Sequence, residues 1–249
     1  MIDQKSYIDA NKEISLISLN LNESDKIEDQ SVFNFILQSR KILRKYFKKK
    51  ISLNITQIPR GGINDYNCDR HMKIFETHNV IPEFCFGCYK ILIEPKTVIH
   101  LIKLHILFDK ITFSNKNFRK CMIEGRKNID GNYKGFIYCK SLEEAENLLK
   151  FVCQKVKYKI DENILCQIKR GCSEYAQSYP NYKNLDKNEM KYKTSWKKFE
   201  NDFDKINSEN YKLKKLNVSS GLTIKDVLIF ENWIMYAKLI GDDSYKLIS

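Results

Sequence analysis

Residues 135–159 read GFIYCKSLEEAENLLKFVCQKVKYK, and this stretch decides the fold. Residues 135–140 predict a β-strand, whose side chains point alternately to two faces. Ser141 and Glu144 form a capping box, with Ser at the N-cap position and Glu at N3, so a helix begins there. The apolar residues that follow recur at helical spacing; they are Leu142, Ala145, Leu148, Leu149, Val152 and Val156. The stretch therefore predicts a strand followed directly by an amphipathic helix.

Further strands and a helix are predicted on both sides of this stretch. The predicted strands are residues 89–94, 120–126, 135–140 and 164–170, and another helix covers about 97–110. The turn at Asp130, Gly131 and Asn132 favours a hairpin between the second and third strands. The order βαββαβ predicts an α+β fold with a ferredoxin-like core, that is, a four-stranded antiparallel sheet with two helices on one face.

Strand alternation sorts the side chains of this sheet into two sets. We expect one face to lie under the helices; its residues are Cys121, Ile123, Gly125, Ile137, Cys139, Ile164, Cys166 and Ile168. The opposite face carries Lys90, Glu94, Met122, Glu124, Arg126, Phe136, Tyr138, Gln167 and Lys169. An open face that mixes aromatic and charged residues predicts a ligand-binding surface.

The sequence KGFIY at residues 134–138, followed by SLEEA at 141–145, resembles the third strand and second helix of an RNA recognition motif. In that family the aromatic residues of this strand stack on bases. The resemblance implies that Phe136 and Tyr138 form a stacking pair and that the partner is RNA. The alternative is that both rings pack against the C-terminal segment.

A metal knuckle is predicted before the first strand, within YNCDRHMKIFETHNVIPEFCFGCYKILIEP at residues 66–95. Cys68 and His71 form one pair and Cys85 and Cys88 a second, and two such pairs can complete a tetrahedral shell. Zinc is the predicted ion, and iron is a second option. Three alternatives remain: His78 replaces His71, the cysteines are small buried hydrophobic residues, or Cys85 and Cys88 form a redox pair.

Composition and charge limit the class of protein. The chain has 249 residues, 43 Lys and Arg against 31 Asp and Glu, and a net charge of +12. This excess predicts a polyanion such as RNA as a partner, unless the many lysines reflect codon bias. No apolar run is long enough for a membrane span. Eight cysteines without a predicted secretory signal indicate a reducing, cytoplasmic location.

Several side chains are candidates for binding or chemistry. The predicted anion ligands are Arg60, Arg126, Lys169 and Arg170, together with the rings of Phe136 and Tyr138; the alternative is that the arginines pair with nearby acids. If the chain is instead a small-molecule enzyme, Glu94 and Glu124 are acid/base candidates and Cys172 is a candidate nucleophile. No phosphate loop, dinucleotide fingerprint or HExxH helix is present.

The chain divides into three predicted segments. Residues 1–65 form an N-terminal extension, with a peripheral strand or a loosely ordered lead-in at 14–19 and a helix at 31–49. Residues 66–175 hold the knuckle and the core, and residues 176–249 form a polar linker and a C-terminal helix. The helix at 223–240 packs on the core or binds a protein partner. The first functional hypothesis is a zinc-stabilised RNA-binding module, and the alternatives are an enzyme near the knuckle or a scaffold protein.

Overall fold

In this computed structural model, five strands between residues 57 and 170 form an antiparallel sheet. The structure describes residues 3–19, 25–49, 51–127, 129–186, 189–212, 216–218 and 220–248. The strands are β1 (Gln57–Pro59), β2 (Ile63–Asn64), β3 (Tyr89–Glu94), β4 (Arg119–Ile123), β5 (Tyr133–Cys139), β6 (Leu165–Arg170) and β7 (Leu216–Asn217). The main sheet has the order β1-β4-β5-β3-β6, and β2 pairs with β7 in a separate two-stranded sheet.

The helices lie around this sheet. The α-helices of the described residues are α1 (Gln4–Ser15), α2 (Asp29–Tyr46), α3 (Cys68–His78), α4 (Glu83–Phe86), α5 (Val98–Lys110), α6 (Leu142–Lys159), α7 (Tyr175–Ser178), α8 (Lys197–Asn207) and α9 (Ile224–Ile240). Short 3₁₀ turns cover Pro180–Lys183, Thr194–Trp196 and Asp243–Leu247. Within the described residues, no helix combines the length and the apolar character needed to cross a bilayer.

One face of the sheet is covered by α5 and α6. Helix α5 is capped by Thr97, whose side chain accepts a hydrogen bond from the amide of His100. Ten of its 13 residues are buried, because the sheet covers one side and α9 packs on another. A helix that is apolar on all sides needs this complete cover. The N- and C-terminal segments of the chain therefore finish the central core.

The main core joins residues from all three predicted segments. It contains Ala10 of α1, Ile102 of α5 and Trp233 of α9. A second buried cluster forms around α3, α4, α7 and α8, with Tyr175 and Trp196 among its members. The N- and C-terminal extensions thus contribute directly to the interior.

The predicted α+β class and antiparallel sheet are confirmed, with two differences at the N-terminal side. The sheet has five strands, because β1 pairs with the edge strand β4, with Ile58 opposite Cys121. The strand predicted at residues 14–19 is wrong. Helix α1 runs to Ser15, since the side chain of Asp3 accepts hydrogen bonds from the amides of Lys5 and Ser6 and starts a helix.

Candidate anion-binding site

Four lysines lie on the sheet face that is turned away from α5 and α6, and one of them, Lys134, pairs with Glu94. Lys90 on β3 stands opposite Tyr138 of β5 on one side and Lys169 of β6 on the other. Lys120 on β4 stands opposite Phe136 of β5. Residues paired across antiparallel strands point to the same face. We call the surface of Lys90, Lys120, Lys169 and Phe136 the lysine face.

Lys90 is the most unusual residue of this face. Its side chain is buried, with only 6% of the residue exposed. Its ammonium group donates a hydrogen bond to Cys172 Sγ at 3.4 Å and lies 4.8 Å from the centre of the Tyr138 ring. Among the described residues, no carboxylate is within ion-pair distance of it. A buried charge is normally paired, because its transfer out of water is costly.

Two groups around Lys90, Cys88 and Tyr138, do not supply a negative charge at neutral pH. Burial lowers the pKa of its ammonium, whereas ionised Tyr138, Cys172, Cys88 and Cys68 raise it, and the sum lies above the ordinary value. Burial also raises the pKa of Cys88 to about 12 and the pKa of Tyr138. Cys88 and Tyr138 therefore keep their protons at neutral pH. A bound anion would provide the charge that Cys88 and Tyr138 provide only at alkaline pH.

Lys120 and Lys169 add to the positive charge. Both are partly buried. Burial lowers the pKa of each, and the charge of Lys90 lowers it further. Their hydrogen-bond partners are neutral: Lys120 Nζ donates to Gln57 Oε1 at 3.1 Å, and Lys169 donates to Ser173 Oγ. An anion placed among the three ammonium groups would relieve this mutual repulsion.

The two aromatic residues predicted to stack on bases are placed differently. Phe136 is partly exposed, and its ring centre lies 5.8 Å from Lys90 Nζ and 5.9 Å from Lys120 Nζ. Tyr138 is only 3% exposed and packs against Tyr66 and Phe118, with ring centres 4.9 and 5.1 Å apart. Of the predicted stacking pair, Phe136 alone offers part of its ring to solvent.

Arg60 and Arg170 lie away from the lysine face and are already bound by protein groups. Arg60 is buried beside α9, where it pairs with Asp226. Arg170 is 4% exposed and donates to the backbone carbonyls of Met190 and Phe86 at 2.9 and 3.1 Å. Both arginines are therefore paired within the protein, which is the alternative to the predicted anion binding.

Arg126 and the two candidate catalytic acids also form ion pairs. Arg126 donates to Glu124 Oε2 at 2.7 Å and also pairs with Glu174. The hydrogen bonds from Arg126 hold the pKa of Glu124 below its ordinary value. Glu94 pairs with Lys134. A carboxylate held in an ion pair is a weak general base, so the positions of Glu94 and Glu124 do not favour the acid/base roles predicted for them.

The four predicted zinc ligands are not gathered into one shell. His71 stacks on Phe84 with 5.0 Å between ring centres, and burial lowers its pKa to about 4. Cys85 Sγ is 3.3 Å from the hydroxyl of Tyr175. Cys88 is buried and Cys68 is exposed. Within the described residues, no group of three His, Cys, Asp or Glu side chains is arranged to hold a metal ion. The zinc site, or an iron site, stays a prediction from spacing.

Metal content gives a direct test of the predicted knuckle. If Cys68, His71, Cys85 and Cys88 share an ion, elemental analysis should find about one zinc per chain, and Cys85→Ser should remove it and lower the melting temperature. Cys153→Ser, at a cysteine outside the four, should keep the metal. Iron with visible absorbance would instead indicate a redox centre, and a metal-free wild-type protein would contradict the prediction.

Strand alternation predicts the correct face for Lys90, but neither Lys90 nor Lys120 is among the ligands predicted from the sequence. Strand alternation already puts Lys120 on the same face as Met122, two residues later. The signal for Lys90 is weaker, because its burial depends on Cys172 and on the ring cluster of Tyr66, Phe118 and Tyr138. These groups come from distant parts of the chain.

The C-terminal helix shows both a buried and an exposed side. Phe230 and Trp233 of α9 are fully buried, whereas Met235 and Leu239 are 60% and 78% exposed. A protein partner on this exposed side stays a prediction. Deletion of residues 223–249 cannot test it cleanly, because the deletion would remove part of the core.

Comparisons with known protein families, with curated protein sequences and with solved structures found no match. A fold alone does not define a function, since unrelated activities share the same folds. The function is therefore inferred from the chemistry of the lysine face.

Proposed function

We propose that the protein binds single-stranded nucleic acid, RNA in the first place, on the lysine face. The observation that carries this proposal is the buried ammonium of Lys90, which has no carboxylate partner among the described residues. Proteins rarely bury an unpaired charge without a functional reason. A phosphate is a suitable partner, because it is anionic and accepts several hydrogen bonds.

The arrangement of charges and rings supports a single strand as the ligand. Proteins that bind single strands combine a positive groove along the backbone with aromatic rings on which bases stack. Phe136 lies between Lys90 and Lys120, at 5.8 and 5.9 Å from their ammonium groups. Phosphates at the lysines and a base on Phe136 fit this pattern. The resemblance of residues 134–145 to an RNA recognition motif is the reason to place RNA before DNA.

The topology supports a second part of the proposal, a ferredoxin-like core formed by β3, α5, β4, β5, α6 and β6. Strands β4, β5, β3 and β6 are neighbours in that order, and all three pairs are antiparallel. Helices α5 and α6 connect β3 to β4 and β5 to β6. A split βαβ arrangement of this kind leaves one sheet face without crossover helices, and the lysine face occupies it.

Removing two charges from the lysine face should weaken RNA binding. In the variant Lys120→Gln/Lys169→Gln, we expect affinity for a short fluorescent single-stranded RNA to fall at least about tenfold at low salt. The slope of log affinity against log salt should also become shallower, by about 0.7 for each lost phosphate contact. Fluorescence anisotropy over a salt series measures both quantities.

A matched control separates this effect from the loss of net charge. Lys150→Gln/Lys157→Gln removes the same charge from exposed positions on α6, on the other side of the sheet. We expect this control to change the affinity and the salt slope only slightly. Equal losses in both double variants would show nonspecific attraction, and RNA binding that does not weaken as salt rises would contradict the proposal.

A further inference from the structure

A small cavity lies next to the rings of Tyr66 and Phe118, between the loop after β2 and the loop before β4. Its volume is about 330 Å³, and Asp65, Tyr66, Asn117, Phe118 and Glu144 are among the residues that line it. This size lies at the lower end of the range for small-molecule pockets. The lining combines two aromatic rings with several oxygen acceptors. The hydrogen bonds that these acceptors already make therefore determine which ligand groups could bind there.

Asn117 presents an oxygen with no donor. Its Nδ2 donates to the carbonyl of Tyr138 at 2.9 Å and to Glu144 Oε1 at 2.8 Å. Both partners are acceptors, so the amide cannot be turned over, and its orientation is fixed. Asn117 is 5% exposed, and its Oδ1 has no hydrogen-bond partner among the described residues.

Asp65 presents a second such oxygen. Its Oδ2 accepts a hydrogen bond from Lys140 Nζ at 2.7 Å. Its Oδ1 is buried and has no partner among the described residues. The terminal torsion of an aspartate is broad, so a small rotation can turn Oδ1 toward a ligand at little cost. Two residues that line one cavity, Asp65 and Asn117, therefore each hold a buried acceptor oxygen without a donor among the described residues.

The remaining carboxylate of the cavity is already saturated. Glu144 Oε1 accepts from Asn115 Nδ2 as well as Asn117 Nδ2, and Oε2 accepts from the amide of Lys140 at 2.6 Å. Burial opposes the charge on Glu144, but these donors outweigh it and hold its pKa below the ordinary value. Glu144 fixes Asn117 in place, and the open acceptors are those of Asn117 and Asp65.

The cavity and the lysine face share a cluster of rings. Tyr66 and Phe118 line the cavity, and both pack on Tyr138. The same Tyr138 ring lies under Lys90 Nζ. A base in the cavity would contact the rings of Tyr66 and Phe118 and lie near Asp65 and Asn117. A planar group with N–H donors along one edge can stack on aromatic rings and donate hydrogen bonds to oxygen acceptors.

We propose that the cavity receives a nucleobase that carries an amino group, such as adenine, cytosine or guanine, and so selects against uracil. This inference rests on the proposed function, because it assigns base selection to the same binding surface. The amino group donates two hydrogen bonds, whereas the carbonyl oxygens of uracil would face the acceptors of Asp65 and Asn117. A site built to accept hydrogen bonds discriminates strongly against a ligand without the donor.

Asp65→Asn should reverse part of this selectivity. Lys140 Nζ requires an acceptor, so the new side chain should keep its oxygen toward Lys140 and place its NH₂ group at the position of Oδ1. The group at the position of Oδ1 would then donate a hydrogen bond instead of accepting one. We expect wild type to bind oligo(A) at least about tenfold more tightly than oligo(U). The variant should lose most of that preference, through weaker oligo(A) binding and stronger oligo(U) binding.

Two comparisons make the test specific. Asp69→Asn removes the same charge from an exposed position on α3 and should keep the wild-type preference. Adenosine and purine riboside, which lacks only the amino group, test the wild-type protein without any substitution. We expect adenosine to compete for RNA binding better than purine riboside does, which also covers the case in which Asp65→Asn does not fold.

The outcomes separate this inference from the proposed function. Equal binding of oligo(A) and oligo(U), with the loss on Lys120→Gln/Lys169→Gln intact, would overturn the base pocket and leave RNA binding in place. No binding of either oligomer would overturn the proposed function and, with it, the base pocket. A preference for oligo(A) that Asp65→Asn and Asp69→Asn reduce equally would also overturn the assignment to Asp65.

Discussion

Replacing Lys90 with methionine should make the protein more stable and weaken its RNA binding at the same time. Methionine fills similar space without a charge that must be removed from water. Buried ionic groups replaced by hydrophobic residues of similar volume often gain about 1–4 kcal/mol, and we expect Lys90→Met to raise the free energy of unfolding within that range. Because Lys90 carries the proposed function, affinity for RNA should fall at least about tenfold.

A second buried lysine provides the matched control. Lys103 on α5 is 7% exposed, like Lys90, but its ammonium pairs with Asp29 at 2.8 Å. Lys103→Met should therefore bring no gain in stability and leave RNA binding unchanged. Urea unfolding and anisotropy titration measure the two effects. If Lys90→Met lowers the free energy of unfolding, the ammonium is satisfied inside the protein, and the reason for assigning it an anionic ligand disappears.

The second large effect is expected at Asp226, where Asp226→Asn should lower the free energy of unfolding by about 3–5 kcal/mol. The side chain of Asp226 is fully buried at the start of α9. It pairs with Arg60, and its Oδ1 lies 2.6 Å from His105 Nε2. Its Oδ2 also accepts from the amide and hydroxyl of Thr223. Neutralising Asp226 leaves the Arg60 charge buried with less compensation.

His105 Nε2 lies 2.6 Å from Asp226 Oδ1 and accepts from Arg60 Nε at 3.2 Å. A carboxylate only accepts hydrogen bonds, so the contact with Asp226 needs a proton on Nε2, whereas the bond from Arg60 needs a lone pair there. These two contacts therefore do not fix the tautomer of His105. Its Nδ1 has no partner among the described residues. Burial lowers the pKa of His105 below its ordinary value, so the ring is neutral at pH 7. Arg60 therefore supplies the positive charge next to Asp226.

This site makes stability depend on pH in a defined direction. Burial opposes the charge on Asp226, but His105 and Arg60 outweigh it and hold its pKa well below the ordinary value. The stabilisation is complete above the ordinary pKa of Asp, about 3.9, and is lost as pH falls below it, because the unfolded state binds the proton first. The lowered pKa of His105 has the same sign, with stability decreasing as pH falls below about 6.5.

Chemical unfolding at several pH values tests both statements. Asp202→Asn removes an exposed acid of α8 and should change stability by less than about 1 kcal/mol. The difference between wild type and Asp226→Asn should be largest near neutral pH and become smaller in acid. A difference that stays constant down to pH 2 would show that the charge of Asp226 is not what stabilises the site.

Much of the sheet could be predicted because its signals are local. Ser141 does cap α6, accepting from the amide of Glu144 at 3.1 Å. Alternation put Cys121 and Ile137 under the helices, and both are fully buried in the main core. Each of these predictions depends on residues a few positions apart. Such local patterns hold in the folded chain because the local preferences of a natural sequence agree with its tertiary packing.

The arrangement of the candidate site depended on contacts between distant residues, and the sequence alone could not supply them. Arg60 was a candidate anion ligand, yet its partner Asp226 lies 166 positions later in the chain. Tyr138 was a candidate stacking residue, but Tyr66 and Phe118 cover it. Local patterns show which face a side chain takes, but they do not show what will cover that face.

The burial of most of α5 has a consequence for biosynthesis. Residues 98–110 leave the ribosome long before residues 224–240, which form the helix that packs against them. Until α9 is made, the nascent chain must expose one side of a helix in which eight of 13 residues are apolar. Exposed apolar segments of this kind are bound by chaperones or aggregate. A stop codon placed before Trp233 should therefore give an insoluble product, although the whole central sheet would have been translated.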